Sequence, residues 1–504
     1  MPALTDLLSN GRPVPRHRPC QRVFVESSIW TAAARGLGDG DWTLVGLWGE
    51  RDAVHMALLE EPAGTIGIIS LEGLEDGYPS VARHHPPASR LERAIHDLFG
   101  IEAKDRPDSR PWLDHGRWHA RFPLGDRLTS GPEPVPYEFL RAEGESLHQI
   151  PVGPVHAGII EPGHFRFTAN GETVVRLEER LGYVHKGIEG LMAGASLDRG
   201  AQLAGRTSGD STVAYAYAFA RAVEAAVELD VPPRAVFLRA LMAELERLAN
   251  HFGDIGAICN DAAFALMHAH CGVLRERVLR AADAAFGHRL MRDQIVPGGV
   301  AHDLGSEAIA ALRALTGEVR QKFPALVELY DNTASLQDRT VGTGTLTPGL
   351  ARQYGAGGYV GRASGRAFDA RRALRYPPYD RLTFDVPVLS EGDVNARVWI
   401  RIREVEQSLA LVEQILGQLP EGPLHAAVPD RDEPREGLAL VEGFRGDVLV
   451  WLRLGGDGMI DRCHLRDPSW FQWPLLEAAI EGNIVADFPL CNKSFNCSYS
   501  GHDL

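Results

Sequence analysis

The alternation of apolar and polar residues between positions 20 and 72 predicts a small β-sheet. Four β-rich runs, separated by turns that contain glycine and aspartate, carry this pattern: RVFVESSIW, WTLVGLWGE, AVHMALLE and TIGIISL. A run with helical spacing, RLERAIHDLFGI, comes next, and a proline-rich stretch then extends to about residue 136. We therefore predict a small α+β domain over residues 1–136.

After a segment at 137–150 that we interpret as a linker, the pattern becomes mainly helical. In the run FLRALMAELERLANHFGDIGAI, apolar residues such as Phe237, Leu241 and Leu245 recur every three or four positions, so one face of a long helix is apolar. Further helices are expected at 213–228, 273–290, 306–330 and 396–417, with strands at HFRFTA and TVVRLEE and a hairpin from VLVWLRL to MIDRCHL. We predict an α+β fold in which residues 151–504 form a large, mainly helical domain with peripheral β-hairpins.

The composition excludes several classes of protein. The chain has 504 residues, 44% of them hydrophobic, which is enough for more than one folded core. A formal net charge of -15 disfavours nucleic acid as a partner, because such binding depends on Lys and Arg neutralising phosphates. We find no apolar run of the length that spans a membrane and no secretion signal, so we expect a cytoplasmic protein that reaches a membrane only through other subunits. The six cysteines form no CxxC pair, which argues against a disulfide framework.

Several motifs resemble those of one known family, and they occur in the same order along the chain. The segment at 92–118, ERAIHDLFGIEAKDRPDSRPWLDHGRW, resembles the 30-kDa subunit of the complex I peripheral arm. GPVHAGIIEPGHFRF at 153–167 and GYVHKGIEGL at 182–191 are similar to the complex I 49-kDa subunit and to the large subunit of group 4, energy-converting nickel-iron hydrogenases. The likeness extends towards the C-terminus through ELERLANHFGDIGAICND, VPGGV, VGRASG, EGDVNARVWIRIREVEQSL and HLRDPSWFQWPLLEAAIEGN. A fusion of the two subunits in one chain is the arrangement of formate hydrogenlyase-type hydrogenases.

This resemblance implies a set of partners. We expect an iron-sulfur small subunit that carries a 4Fe-4S cluster, a ferredoxin-like subunit and membrane subunits that translocate ions. Through them the protein would lie on the cytoplasmic face of the inner membrane, with no membrane span of its own.

The resemblance also shows where the metal ligands of a hydrogenase would be. Members of that family bind nickel and iron through two CxxC pairs, since soft thiolates stabilise these metals far better than hydroxyl groups do. In LAGRTSGDSTVAY the first pair is replaced by Ser208 and Ser211, whereas the preceding Arg206 is retained. In SFNCSYSG the second pair falls on Ser498 and Gly501. We therefore predict no metal centre and no cofactor in this chain.

The C-terminal tail allows two interpretations. Cys491, Cys497 and His502, together with Asp503, could bind a single divalent ion. The alternative is that the cysteines are small packed side chains and that the tail is a hydrogen-bonded cap. We favour the alternative, because neither CxxC nor CxxH spacing is present.

Three residues are candidates for proton transfer or for a quinone pocket. His156 resembles the histidine that approaches the quinone in complex I, and Asp261 falls where that family has a buried helix aspartate. Glu161 matches the glutamate that relays protons in hydrogenases, a role that requires a carboxyl group of tunable pKa. However, Gly209 occupies the position of the quinone-contacting tyrosine. A structural hydrogen bond remains the alternative for Glu161, and a helix cap or an ion pair the alternative for Asp261.

Three further residues are candidates to face a partner's cluster or the former metal cavity: His185, Lys186 and Arg206. His185 and Lys186 occupy the HRG segment whose arginine approaches the terminal cluster in complex I. A lysine there keeps the positive charge but not the planar fork of a guanidinium.

The sequence thus leaves three hypotheses about function. The first is a redox subunit of a membrane-associated, hydrogenase-related complex, which receives electrons from the iron-sulfur small subunit and passes them to a quinone or another acceptor. The second is a non-catalytic subunit that couples the other subunits structurally. The third, a genuine nickel-iron hydrogenase, is opposed by the residues at the four ligand positions. A buried charge network of Arg362, Asp369, Arg371 and Arg372 is expected to be structural.

Overall fold

The computed structural model describes residues 3–125, 129–130, 136–158 and 160–504. The N-terminal part combines three helices with short and long strands. These are α1 (Leu4–Ser9), β1 (Arg12–Pro13), β2 (His17–Arg18), β3 (Gln21–Phe24), α2 (Ser27–Asp39), β4 (Thr43–Gly49), β5 (Ala53–Glu60), β6 (Thr65–Glu72), β7 (Tyr78–Pro79), α3 (Ser89–Phe99), β8 (Ala103–Lys104), β9 (Ala120–Arg121) and β10 (Thr129–Ser130). Five strands form one sheet in the order β1-β3-β6-β5-β4, in which only β3 and β6 are parallel.

The second part begins with a three-stranded sheet and continues as a helical core. Its elements are β11 (Leu147–Val152), β12 (His164–Asn170), β13 (Thr173–Arg180), α4 (Ile188–Met192), α5 (Leu197–Ala204), α6 (Thr212–Val227), α7 (Pro233–Asp261), α8 (Ala265–Phe286), β14 (Ile295–Val296), β15 (Gly299–Val300), α9 (Ser306–Asp331), α10 (Ala334–Thr340), α11 (Pro348–Gln353), α12 (Gly358–Ala363), α13 (Ala370–Ala373), α14 (Val394–Gln418), β16 (Arg435–Gly443), β17 (Gly446–Leu454), β18 (Ile460–Arg466), α15 (Ser469–Ile480), α16 (Phe488–Phe495) and α17 (Tyr499–Asp503). The predicted α+β fold, with a helical second part and peripheral hairpins, is confirmed.

The first β-rich run is a strand over only one third of its length. Strand β3 ends at Phe24, and the rest of RVFVESSIW enters helix α2. Trp30, Ala33 and Leu37 are buried on one face of this helix, at helical spacing. The segment that we interpreted as a linker, 137–150, contains the start of β11, which pairs with β12.

The two parts of the chain share a sheet and a core. Strand β2 pairs in parallel with β16, which extends the C-terminal sheet to the order β18-β17-β16-β2. Beside this junction, the buried guanidinium of Arg22 donates to both carboxylate oxygens of Glu436 at 2.5 and 2.6 Å. Trp48 of β4 belongs to the same apolar cluster as Trp451 of β17. The small N-terminal region is therefore built into the large one rather than tethered to it.

Candidate functional site

The first pair of former ligand positions meets the second through a hydrogen bond between two serines. Ser208 lies just before the 3₁₀ turn that leads into α6, and Ser498 is the N-cap residue of α17, where its Oγ atom accepts from the backbone N–H of Gly501 at 2.9 Å. The Oγ atoms of Ser208 and Ser498 are 3.0 Å apart, although 290 residues separate them in sequence. Both side chains are buried. Three of the four predicted positions, Ser208, Ser498 and Gly501, thus lie together in the fold.

An ion pair joins the remaining position to this cluster. The guanidinium of Arg445, in the turn between β16 and β17, donates to both carboxylate oxygens of Asp210 at 2.7 and 2.6 Å and to the Oγ atom of Ser211 at 3.2 Å. Ser208 also donates to Asp210, at 2.9 Å. Burial alone would raise the pKa of Asp210, but the nearby Arg445 lowers it to about 2. Asp210 therefore carries a negative charge that Arg445 neutralises.

A second carboxylate, that of Asp467, also belongs to the cluster. Asp467 accepts from the hydroxyl group of Tyr215 at 2.7 Å and from the backbone N–H of Ser469 at 2.8 Å. Ser469 in turn accepts from the backbone N–H of Ser498 at 2.8 Å. Side chains from α6, α15 and the C-terminal tail thus form a continuous hydrogen-bonded network here.

The C-terminal tail is buried, and the side chains of His502 and Asp503 have hydrogen-bond partners within the chain. The carboxylate of Asp503 accepts from the backbone N–H groups of Gly182 and Val184 at 2.9 and 3.0 Å. His502 uses one ring nitrogen for Asp503 at 2.8 Å and the other for the indole N–H of Trp112 at 3.3 Å. This arrangement leaves neither side chain directed at a shared ion.

The two tail cysteines have the properties of packed side chains. Cys491 and Cys497 are both buried. Burial raises the pKa of the Cys491 thiol to about 11 and that of the Cys497 thiol well above its ordinary value. Both are thus thiols rather than thiolates at neutral pH, and thiolate is the form that binds metal. Among the described residues, no group of three potential ligands has the geometry of a metal site.

The histidine and glutamate candidates lie on the loop between β11 and β12. A ring nitrogen of His156 bonds the carbonyl oxygen of Gly163 at 2.7 Å, which ties the two ends of this loop together. Glu161 is exposed, and its carboxylate accepts from the backbone N–H of Ser500 at 3.1 Å. Of the three proton-transfer candidates, Glu161 is the one that reaches the C-terminal helix beside the serine cluster.

Lys186 also contacts the C-terminal helix α17. Its ammonium group donates to the carbonyl oxygens of Thr207 and Ser500 at 3.2 and 3.3 Å. The adjacent His185 bonds the carbonyl oxygen of Asp503 at 2.7 Å. Partial burial lowers the pKa of Lys186, and Glu161 opposes this effect. Glu161 and Lys186 therefore flank Ser500 with opposite charges.

Two of the predicted site residues, Arg206 and Asp261, lie away from the serine cluster. Arg206 makes an exposed bidentate ion pair with Asp293, at 2.7 and 2.8 Å, instead of turning towards the serine cluster. Asp261 is exposed at the last position of α7, where a buried aspartate was expected, because the helix ends there and the chain turns. No hydrogen bond or ion pair among the described residues joins Asp261 to His156 or Glu161.

Three charged members of the cluster escaped the sequence analysis: Asp210, Arg445 and Asp467. Asp210 stands between the two serines in SGDS, so its position alone could have suggested a charged group at this place. Arg445 and Asp467 are more than 200 residues away, and no local spacing connects them with it.

Comparison with known proteins identifies the family. The family described as respiratory-chain NADH dehydrogenase, 49 Kd subunit, matches residues 261–436, and the corresponding 30 Kd subunit family matches residues 53–130. Formate hydrogenlyase subunit 5 of Escherichia coli is 31% identical, over 86% of this chain and 78% of the relative. Hydrogenase-4 component G of the same organism is 30% identical, over 96% and 85%. The chain belongs to the family of hydrogenase and complex I large subunits.

Other relatives show both branches of this family. An NADH-quinone oxidoreductase subunit of Syntrophobacter fumaroxidans is 32% identical, over 70% of this chain and 95% of the relative. A solved structure, the membrane-bound sulfane sulfur reductase, described as an archaeal respiratory membrane complex, matches with a TM-score of 0.68 and 26% identity, over 72% of this chain and all of that chain. The prediction of a fused, formate hydrogenlyase-type subunit of a hydrogenase- and complex I-related oxidoreductase is confirmed. In the described part of the chain, no helix has the length and apolarity needed to cross a bilayer.

The residues at the four former ligand positions do not fit a nickel-iron centre. Ser208, Ser211 and Ser498 offer hydroxyl oxygens, which are hard and poorly matched to low-valent iron and nickel. A Cβ atom added at Gly501 would lie 2.8 Å from the Cγ atom of Asp467 and nearer still to its Oδ2 atom, so a cysteine cannot stand there without moving Asp467. The space between the two segments is crossed by the Ser208–Ser498 hydrogen bond.

Proposed function

We propose that this protein couples the other subunits of a membrane-associated, hydrogenase-related oxidoreductase complex and has no nickel-iron centre of its own. The observation that carries the proposal is the direct hydrogen bond between Ser208 and Ser498, supported by the Arg445–Asp210 ion pair. Buried polar groups need hydrogen-bond partners, and here these side chains supply them to one another through hydrogen bonds and an ion pair, without a cofactor. The arrangement supports a structural role for the former catalytic position.

The proposed partners follow from the family. They are an iron-sulfur small subunit with a 4Fe-4S cluster, a ferredoxin-like subunit and membrane subunits that translocate ions. The protein would be peripheral, on the cytoplasmic face of the inner membrane. Its fused N-terminal region, which shares a sheet with the C-terminal part, would give these partners one rigid docking body.

A second candidate function is electron transfer to a small acceptor, such as a quinone, at the edge of the former site. Glu161 and Lys186 favour it, because the first accepts from the backbone N–H of Ser500 and the second donates to its carbonyl oxygen. A carboxyl group and an ammonium group beside a partner's cluster could supply protons to a reduced acceptor. In this second function, the 2.7 Å hydrogen bond between the His156 ring and the carbonyl oxygen of Gly163 would fix the conformation of the loop that carries Glu161.

One experiment separates the two functions. The complex is purified through a tag on this chain, its 4Fe-4S cluster is reduced, and reoxidation by added quinone is followed optically. In a purely coupling role, Glu161→Gln and Lys186→Met leave the reoxidation rate within about twofold of the wild type. In a redox role, loss of a proton-transferring group lowers the rate by about 10²-fold or more.

A matched control keeps the comparison interpretable. Glu172→Gln changes an exposed glutamate in the turn between β12 and β13, away from Ser500, and the reoxidation rate should match the wild type in both cases. A loss of rate confined to the Glu161 and Lys186 variants contradicts the purely coupling role.

A further inference from the structure

Helix α3 meets the second part of the chain through one arginine and two glutamates. The guanidinium of Arg90, in α3, donates to Glu179 of β13 at 3.1 Å and to Glu477 of α15 at 2.7 Å. It also lies over the ring of Trp112, with 4.5 Å between its central carbon and the ring centroid. One cation thus serves two acidic side chains from separate elements.

The two glutamates have unequal shares of hydrogen-bond donors. Glu477 Oε1 accepts both from Arg90 and from the backbone N–H of Glu179, the latter at 2.8 Å. Glu179 accepts from Arg90 through Oε2, and its Oε1 atom is buried without a hydrogen-bond partner in the described part of the chain. The side chain of Glu179 has no accessible surface, whereas that of Glu477 is 23% exposed. A negative charge on Glu179 is therefore the less well stabilised of the two.

The other arginines near this pair of glutamates contact different groups. Three of them lie beside other carboxylates: Arg93 beside Asp108, Arg110 beside Asp108 and Glu178, and Arg176 beside Glu481. Arg180, which follows Glu179 on β13, donates to the backbone carbonyl oxygens of Pro111 and Trp112. Arg90 is thus the cation on which both glutamates depend.

The remaining titratable groups that face the pair or its arginine are uncharged at neutral pH. They are Cys497, Tyr499 and His502 of the C-terminal tail and Tyr354 at the end of α11. Burial raises the pKa of Cys497, Tyr499 and Tyr354 and lowers the pKa of His502. These groups therefore add no charge that could balance a second carboxylate.

The electrostatics of the pair favour one protonated carboxyl group. Burial and the neighbouring Glu477 raise the pKa of Glu179 well above its ordinary value, and Arg90 opposes this only in part. Burial also raises the pKa of Glu477, against the opposing effects of Arg90 and of the Glu179 N–H. Two carboxyl groups that depend on one cation release their protons as a coupled pair.

From this arrangement we infer that Glu179 and Glu477 form a proton-binding site that holds one proton at neutral pH, with Glu179 as the acid. The protonated Glu179 leaves Arg90 and Glu477 as one neutral ion pair. The partly exposed Glu477 lines a groove of about 410 Å³, through which the proton exchanges with water. Loss of the proton places a second negative charge beside one cation and weakens the junction of α3 with β13 and α15. The inference does not depend on the proposed function, which concerns Ser208 and Ser498.

Infrared spectroscopy of the full chain tests the site directly. A protonated carboxyl group has a C=O stretching band above the amide I band, which a carboxylate lacks. At pH 7, Glu179→Gln should remove one such band, and Glu172→Gln, an exposed change in the turn between β12 and β13, should retain it. Glu477→Gln should lower the pH at which the band disappears, because Glu179 then has Arg90 to itself.

Two results of this measurement would overturn the proposal. Equal band intensity in the wild type and in Glu179→Gln would show that Glu179 holds no proton. Disappearance of the band at the same pH in the wild type and in Glu477→Gln would show that the two glutamates do not form one site. Failure of Glu179→Gln to fold at pH 7, where Glu477→Gln folds, would also contradict it, because an amide can replace a neutral acid but not a paired carboxylate.

Urea denaturation supplies an independent test. A glutamate whose pKa is raised in the folded protein contributes stability that is lost as the pH rises from its ordinary value of 4.5 towards the raised value. The unfolding equilibrium constant of the wild type, divided by that of Glu179→Gln, should therefore rise about tenfold per pH unit between pH 5 and 7. The same ratio taken with Glu172→Gln should stay constant. A constant ratio with Glu179→Gln would refute the proton-binding site.

Discussion

At the scale of single residues, the surrounding atoms restrict which residue type can stand at the predicted ligand positions, and they do so in different ways. Ser208 and Ser498 share a hydrogen bond that a cysteine pair could not reproduce with the same length, since sulfur is larger than oxygen. At position 501 a residue larger than glycine would collide with the carboxylate of Asp467. The observed position of Asp467 therefore requires glycine at position 501.

This predicts that Gly501→Ala destabilises the protein. Inserting one methyl group against a hydrogen-bonded carboxylate should lower the free energy of unfolding by about 1–3 kcal/mol, measured by urea denaturation. Gly209→Ala, in the SGDS turn, is the control, because an added Cβ there has no atom within 4 Å. Equal stability of the two variants would show that Asp467 moves aside without cost.

The Asp210–Arg445 pair predicts a pH dependence. The pKa of Asp210 lies at about 2 in the folded protein, against an ordinary value of 3.8. The stability from this pair is therefore fully present above about pH 4 and is lost as the pH falls through 3.8 towards 2.

Asp210→Asn should consequently flatten the pH profile. We expect its thermal midpoint to lie below that of the wild type at pH 6 and to decline less between pH 4.5 and 2.5. Asp39→Asn, an exposed change at the end of α2, should keep the wild-type slope. A wild-type slope in Asp210→Asn would remove the argument that this ion pair stabilises the cluster.

At the scale of elements, the helices were predictable where local spacing determined them. The expected ranges 213–228, 306–330 and 396–417 correspond closely to α6, α9 and α14, because a buried apolar face repeats every three or four residues. Helix α2 (Ser27–Asp39) was missed entirely: its first residues, SSIW, were assigned to a β-rich run and the rest to a turn, because SSIW follows directly on a β-like pattern and has no strong start signal. Long-range partners such as Arg445 leave no periodic trace in the sequence, so the cluster around the serines could be predicted only in part.

The buried charge network between the helices is also an element-scale feature. Arg362 of α12 donates to Glu404 of α14 at 2.8 Å and to Glu442 of β16 at 2.9 Å. Arg371, of α13, donates to Glu244 of α7 at 2.9 Å. Arg372, expected to take part, is exposed instead.

We predict that Arg362→Met costs about 3–5 kcal/mol in the free energy of unfolding, because it leaves buried carboxylates without their cation. Arg372→Met, ten positions along the chain, should change it by less than about 0.5 kcal/mol. Chemical denaturation followed by circular dichroism measures both values. A small effect of Arg362→Met would mean that Arg371 and the other cations of the network compensate.

At the scale of the whole molecule, contacts between distant segments join the N-terminal region, the C-terminal sheet and the C-terminal tail. The N-terminal region contributes β2 to the C-terminal sheet, and the tail that carries Ser498 is buried against the Gly182–Lys186 segment. Contacts between distant segments thus stabilise the part of the fold that contains Ser208 and Ser498, where the sequence resemblance would place metal ligands. Hydrogen bonds and an ion pair connect these segments to one another.

The most direct test is the nickel content of the intact complex, purified through a tag on this chain and measured by elemental analysis against the amount of chain. The account predicts nickel far below one equivalent, in a complex whose iron is accounted for by the clusters of its partner subunits. Nickel near one equivalent per chain, lost on substitution of Ser208 or Ser498, would contradict it.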